Sequence, residues 1–288
     1  MPANDTASPK IIRKVPELRS TVRAWKRDGK RIALVPTMGA LHEGHLSLVR
    51  LAREHSDKVI VSIFVNPTQF APHEDFDAYP RDEKADIRKL SRVGVDMVYA
   101  PDAQGMYGAD FSTAVEVSGI TEGLCGATRP HFFRGVATVV TKLLLQVLPD
   151  VAVFGEKDFQ QVHVIRRLVR DLDIPVDIIA GPIMREKDGL AISSRNQYLS
   201  PAERAVAARL NEIMGRVAQR LIEGEDIAQA LDEGRAALWL AGFDPVDYLE
   251  LRNSQTLAPM TVLTGPAQLL AAAWVGKTRL IDNRPVRA

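Results

Sequence analysis

The spacing of apolar positions changes character once along the chain, just beyond Tyr198. Before that point, short and largely β-branched apolar runs recur: Arg31-Ile-Ala-Leu-Val35, Lys58-Val-Ile-Val-Ser-Ile-Phe-Val65, Met97-Val-Tyr-Ala100, Val151-Ala-Val-Phe154 and Val176-Asp-Ile-Ile-Ala180. Each is too short for a helix and too uniformly apolar for a surface strand, so each reads as a strand covered on both faces. Amphipathic stretches at helical spacing separate them, at Gly44 to His55, Asp82 to Val93, Gly135 to Leu148 and Phe159 to Leu172. This alternation predicts βαβ units around one parallel sheet, a Rossmann-like doubly wound α/β domain spanning residues 1–182.

Past Tyr198 the signals are those of a smaller α+β domain over 183–288. Ser200-Pro-Ala-Glu203 has the spacing of a capping box with proline at the first helical position, and opens a long helix to about Ile222. Asp226 is placed to cap a second helix running to Ala241. Asp247 to Leu251, Ala267 to Val275 and Thr278 to Asp282 read as strands, the last two joined through Gly276-Lys277 as a hairpin. Residues 1–10 carry polar residues and two prolines without an apolar period, which predicts a disordered tail.

Composition narrows the function classes. With 46% hydrophobic residues, the chain lies outside the regime of disorder. Thirty-seven Lys and Arg almost balance 36 Asp and Glu, so no global positive field exists to hold a nucleic acid backbone. The single Cys125 excludes an internal disulfide and any Cys-rich metal site, and reads as a packing thiol. No run approaches the roughly 18 apolar residues of a membrane span, and Met1 to Lys14 lacks the apolar segment of a secretory signal. The expectation is a cytoplasmic protein without membrane or nucleic acid partners.

Four segments at strand ends carry chemistry. In Pro36-Thr-Met-Gly-Ala-Leu-His-Glu-Gly-His45, glycines permit close backbone approach and the following helix start favours an anion. His42 and His45 can face one side there and donate to phosphate oxygens. In Gly155-Glu-Lys-Asp-Phe-Gln-Gln161, Lys157 suits a phosphate, Asp158 a ribose hydroxyl, and Gln161 a second substrate. In Phe64-Val-Asn-Pro-Thr-Gln-Phe70, the neutral amides of Asn66 and Gln69 suit a polar substrate bearing hydroxyl and carboxylate groups. In Met184-Arg-Glu-Lys-Asp-Gly-Leu-Ala-Ile-Ser-Ser-Arg-Asn196, two hydroxyls and an arginine can clasp a triphosphate and close over it. Each segment alone is also readable as a solvated turn or linker. Together they fall at the strand ends of one sheet, where open α/β folds bind ligands.

The set resembles the pantothenate synthetase (pantoate:β-alanine ligase) family, of the nucleotidyltransferase superfamily related to class I aminoacyl-tRNA synthetases. His42-Glu-Gly-His45 is similar to that family's His-x-Gly-His element, and Ser193-Ser-Arg-Asn196 to its counterpart of the Lys-Met-Ser-Lys-Ser loop. The resemblance covers nearly the whole chain. It implies ligation of pantoate to β-alanine with ATP, through a pantoyl adenylate. It further implies that Met38, Gly39, Ala40, Leu41, His42, Glu43, Gly44 and His45 embrace ATP, with His45 a proton donor and His42 a phosphate contact. Lys157 would stabilise the reacting phosphate, with Gly155, Glu156 and Asp158 holding the nucleotide. Met184, Ile192, Ser193, Ser194 and Arg195 would contact ATP as well. Gln69 and Gln161 would hold pantoate, with Asn66 near the pantoate and β-alanine pocket. Mg²⁺ carried mainly by the phosphates, with no protein metal site, and a homodimer are implied in the same way.

Two positions depart from the family pattern. Ile192 stands where methionine is usual, a volume-conserving swap. In Arg129-Pro-His-Phe-Phe-Arg-Gly135 the histidine comes one place early, so that Phe132 occupies its usual position. A transferase that stops at adenylyl transfer stays open as the alternative. A nicotinamide-binding protein is disfavoured, because Pro-Thr-Met-Gly follows the first strand in place of Gly-x-Gly-x-x-Gly.

Overall fold

Alternate residues of the apolar runs take opposite faces of one parallel sheet. The structure, a computed structural model, describes residues 8–71 and 74–287. The sheet contains β1 (Lys10–Ile12), β2 (Ile32–Thr37), β3 (Lys58–Ile63), β4 (Met97–Tyr99), β5 (Val151–Gly155) and β6 (Asp177–Gly181), in the order β1-β4-β3-β2-β5-β6, every pair parallel. Its helices are α1 (Val15–Arg27), α2 (Glu43–Glu54), α3 (Glu83–Arg92), the single turns α4 (Ala103–Met106) and α5 (Leu124–Thr128), α6 (Phe132–Val147) and α7 (Phe159–Asp171), of which α5 groups with the second unit described below. Ile32, Leu34, Ile60, Met97 and Phe154 pack with Leu18 of α1, Leu144 of α6 and Ile165 of α7. Ala33, Val35, Val59, Val61 and Val153 pack with Val49 of α2 and Leu90 of α3. A sheet covered on both faces needs apolar residues at successive positions, which is why its strands lack alternation.

From β2 the chain proceeds outward to β3 and β4 in one direction and to β5 and β6 in the other. That reversal makes the carboxyl ends of β2 and β5 the topological switch point, where an open α/β sheet offers a crevice.

The chain divides into two units. Unit 1 comprises Met1–Ser118, Arg129–Glu156 and Gln161–Pro182, and unit 2 comprises Gly119–Thr128, Lys157–Gln160 and Ile183–Ala288. Residues 119–128 and 157–160, which the sequence places in the first domain, belong with the second because of side chains that sequence distance conceals. Gln160 accepts the N–H of Cys125 at 3.1 Å and donates to the carbonyls of Ile120 and Gly123 at 3.2 and 3.3 Å. Cys125 is buried, with Sγ 3.2 Å from the Tyr248 hydroxyl.

Unit 2 sets α8 (Pro201–Ile222) and α9 (Ile227–Leu240) against an antiparallel sheet of β7 (Val246–Asn253), β8 (Ala267–Val275) and β9 (Thr278–Val286). Ser200 and Glu203 cap α8 reciprocally, and Asp226 accepts the Gln229 N–H at the start of α9. β9 runs four residues past the expected Asp282, because Asp282 and Asn283 are buried polar residues with partners inside the unit.

At the amino end the expected tail needs correction. Pro9 is buried and Lys10 begins β1, pairing with Met97, while residues 1–7 lie outside the described part. No described helix is long and apolar enough to cross a membrane.

Candidate functional site

The loop leaving β2 is fixed from beneath by a buried carboxylate. Thr37 donates to the Ser62 carbonyl at 2.7 Å and accepts the Gly39 N–H at 3.2 Å. Gly39 has a φ of 81°, and a Cβ there would come within 3.1 Å of Asp86 Oδ2 and 3.2 Å of Ile63. Ala40 follows at φ 50°, a left-handed conformation that costs a non-glycine residue of order 1 kcal/mol and gathers at ligand sites. Asp86 accepts the Leu41 N–H at 2.8 Å, with Lys89 at 3.8 Å.

Burial pushes the Asp86 carboxyl above its ordinary value, outweighing the Leu41 and Ala40 N–H bonds and Lys89. The stability this group contributes is therefore complete below the unfolded value near 3.8 and is lost as pH rises through the higher folded value. Asp86→Asn stays neutral and keeps an acceptor for Leu41. Urea melts should show the variant gaining stability relative to the parent as pH rises above the unfolded value near 3.8; a relative loss on raising the pH would contradict the assignment.

His42 and His45 stand at the start of α2, His42 as N-cap and His45 in the first turn. The His42 N–H donates to Nδ1 of His45 at 3.4 Å, and the rings lie 4.0 Å apart. An accepting Nδ1 places the proton of the neutral ring on Nε2, so His45 carries an Nε2–H donor. Glu43 and Gly44 occupy the first helical positions, where N–H groups have no intrahelical acceptor and the helix dipole favours negative charge. Glu43 also pairs with Arg50.

Beyond β3, Asn66 caps a 3₁₀ turn over Pro67–Gln69, of which Gln69 is the last residue. Gln69 donates to the sulfur of Met38 at 2.9 Å, which brings the two loops together. Asn66 is 1% exposed and uses both amide hydrogens, on the Gly135 carbonyl at 3.2 Å and Gln69 Oε1 at 3.1 Å. Its Oδ1 accepts from the Tyr107 hydroxyl at 2.7 Å and the Thr68 hydroxyl at 2.9 Å. In this arrangement Asn66 offers a substrate no donor; it orients Gln69.

Sequence reasoning missed Tyr107 and the pair beside this turn. Arg129 donates to both oxygens of Glu74 at 2.6 Å and to the Gln69 carbonyl at 3.0 Å. Burial raises the Glu74 carboxyl, but Arg129 outweighs it and holds the group below its ordinary value. The guanidinium lies 3.9 Å from the Phe132 ring centroid, so the residue in the family's histidine position forms a cation–π contact. His131 precedes α6, and its Nε2 is buried without a partner among the described residues.

Gly155 ends β5 opposite Gly181, and Glu156 follows it within unit 1, as does Gln161 near the start of α7. Lys157 and Asp158 lie in unit 2, as do Met184, Ile192, Ser193, Ser194 and Arg195. Met184 and Ile192 are brought together, the Met184 carbonyl accepting the Ile192 N–H at 2.9 Å across a hairpin-like loop. Ser193 caps a turn over Ser194–Tyr198 by accepting the Arg195 N–H at 3.3 Å. Among the described residues no group of three or more His, Cys, Asp or Glu could hold a metal ion.

A sequence model described as Pantoate-beta-alanine ligase matches residues 10–285. The chain belongs to the pantoate-beta-alanine ligase family. Within it, the pantothenate synthetase of Caulobacter vibrioides is 57% identical over 97% of this chain and 99% of its own. That of Chelativorans sp. is 59% identical over 96% and 97%. The crystal structure of pantothenate synthetase from Thermus thermophilus superposes with a TM-score of 0.91 at 43% identity, covering 97% of this chain and 100% of that one. The pantoate-beta-alanine ligase of Francisella tularensis, complexed with beta-gamma ATP and beta-alanine, has a TM-score of 0.82 at 34% identity, covering 96% and 97%.

Proposed function

We propose that this chain joins pantoate to β-alanine at the expense of ATP, through a pantoyl adenylate, releasing pyrophosphate and AMP. The family match over residues 10–285 carries the reading. The strand reversal at β2 and β5 supports it, because it puts the His42 loop at the switch point.

A carboxylate resists amine attack, so it is activated first. A pantoate carboxylate oxygen attacks the α-phosphorus of ATP, and pyrophosphate leaves with the electrons of the broken P–O bond. Negative charge grows on the leaving phosphates, where His42, His45, Lys157 and Arg195 supply donors and positive charge. Met38 to His45, Gly155, Glu156, Asp158, Met184 and Ile192 to Ser194 hold the nucleotide. Mg²⁺ bound with the phosphates would neutralise further charge, and it needs few protein ligands because it keeps several waters. Gln69 and Gln161 hold pantoate, with Asn66 setting the Gln69 amide. The β-alanine nitrogen then attacks the acyl carbon, AMP departs with the C–O electrons, and the nitrogen gives up a proton. A homodimer, on the strength of the resemblance, and a cytoplasmic location, on the single cysteine and the lack of a secretory or membrane-spanning run in the sequence, complete the proposal.

The test follows AMP and pyrophosphate release from the purified protein with ATP, Mg²⁺ and pantoate, with and without β-alanine. Sustained AMP and pantothenate formation only with all components is expected. AMP release indifferent to the amine would favour adenylyl transfer alone, and no product with pantoate would remove the substrate assignment.

A further inference from the structure

Two segments proposed to contact ATP, 157–158 and 184–195, are tied within unit 2 to one dipeptide of β9. Asp282 and Asn283 are 4% and 3% exposed. Asn283 donates through Nδ2 to the Lys157 carbonyl at 3.0 Å, and its Oδ1 accepts from buried Gln268 at 2.6 Å. Asp282 receives both arms of Arg185, at 2.7 and 2.9 Å, and takes the Asn283 N–H at 2.7 Å. Arg185 also donates to the carbonyls of Asn283 at 3.3 Å and Gly189 at 3.0 Å. It follows Met184 directly and bridges to Ala191, so its anchorage sets the base of the 184–192 hairpin.

Burial alone does not call for polar residues at these two strand positions. The cross-strand partners of Asp282 and Asn283 are the buried apolar residues Ala271 and Leu270. A buried polar network stabilises only when all its members are satisfied, and an apolar replacement of similar volume is often at least as stable. This network ends on a backbone carbonyl, that of a lysine whose ammonium sits on a long rotatable stem. Fixing the root of such a side chain limits where its charge can go.

We infer that Asp282-Asn283 is a positioning element for ATP, with Asn283 setting the backbone of Lys157 and Asp282, through Arg185, setting the 184–195 loop. The inference rests on the assignment of Lys157 to the phosphates.

Direct calorimetric titration of the full chain with ATP and Mg²⁺, without acid or amine, tests it. Asn283→Ala should weaken ATP binding about tenfold, the size expected for one buried hydrogen bond. In a Lys157→Ala background the same change should matter less than about twofold, because coupled residues are not additive. The KM for β-alanine should stay at the parent value. Parent-like ATP affinity in Asn283→Ala, or an equal loss in both backgrounds, would overturn the inference. Should Asn283→Ala fail to fold, Gln268→Met releases the Asn283 amide without touching Lys157, and unchanged ATP affinity there would count equally against it. A parent that binds ATP but ligates nothing removes the pantoate reading alone. A Lys157→Ala variant that binds ATP like the parent removes the basis of this inference.

Discussion

His45→Ala should slow pantoate-dependent pyrophosphate release by about 10²–10³-fold, the usual cost of removing one preorganised donor from a site of developing charge. The His42 N–H donates to Nδ1 of His45 and so leaves Nε2–H as the donor of the neutral ring. Alanine deletes that donor and one half of the reciprocal bonding at the start of α2. The lost cap is worth about 0.5–2 kcal/mol, against a usual total stability of about 5–15 kcal/mol, so the variant should remain folded. A rate loss that follows catalysis and not melting would support the role of His45. Single-turnover kinetics with ATP and pantoate read it directly, and a rate constant for pyrophosphate release within threefold of the parent would refute it.

Gly135→Ala should destabilise unit 1 by about 3 kcal/mol and raise the KM for pantoate. A Cβ at Gly135 would lie 2.4 Å from the Thr68 carbonyl oxygen, 2.6 Å from its carbon and 2.8 Å from the Gln69 nitrogen. All three are backbone atoms, so no rotamer change relieves the clash. Either α6 or the 66–70 turn must shift, and the Asn66 bond to the Gly135 carbonyl holds those two together. Displacement of the turn moves Gln69 with it. Thermal melting and substrate kinetics measure both effects, and parent values in each would show that the turn yields without consequence.

The fold was legible where burial on both faces wrote itself as unbroken β-branched runs, as in Val151 to Phe154. It was not legible in β1, which is three residues long, or in α1. In α1 the core-facing residues Val15, Leu18, Val22 and Trp25 do sit at helical spacing, but the stripe is one residue wide and set among charges, with only Leu18 and Val22 buried, so it stands out less than the broader faces of later helices. The candidate loops stood out because glycine, histidine and amide residues gathered after strands. Their supports did not. Glu74 and Arg129 are 55 residues apart, Tyr107 and Asn66 41, and Asn66 and Gly135 69. Nothing local marks such pairs, and only the fold discloses that Asn66 spends its amide on neighbours.

The membership of 119–128 and 157–160 in unit 2 bears on how the protein is made. On the ribosome these segments emerge well before residues 183–288, which carry the partners that hold them, Tyr248 for Cys125 and Asn283 for Lys157. Their final placement must therefore wait until the last strand has been synthesised. A gene split after codon 182 would leave unit 1 whole on the first fragment but divide unit 2 between the two, separating these segments from the partners that hold them.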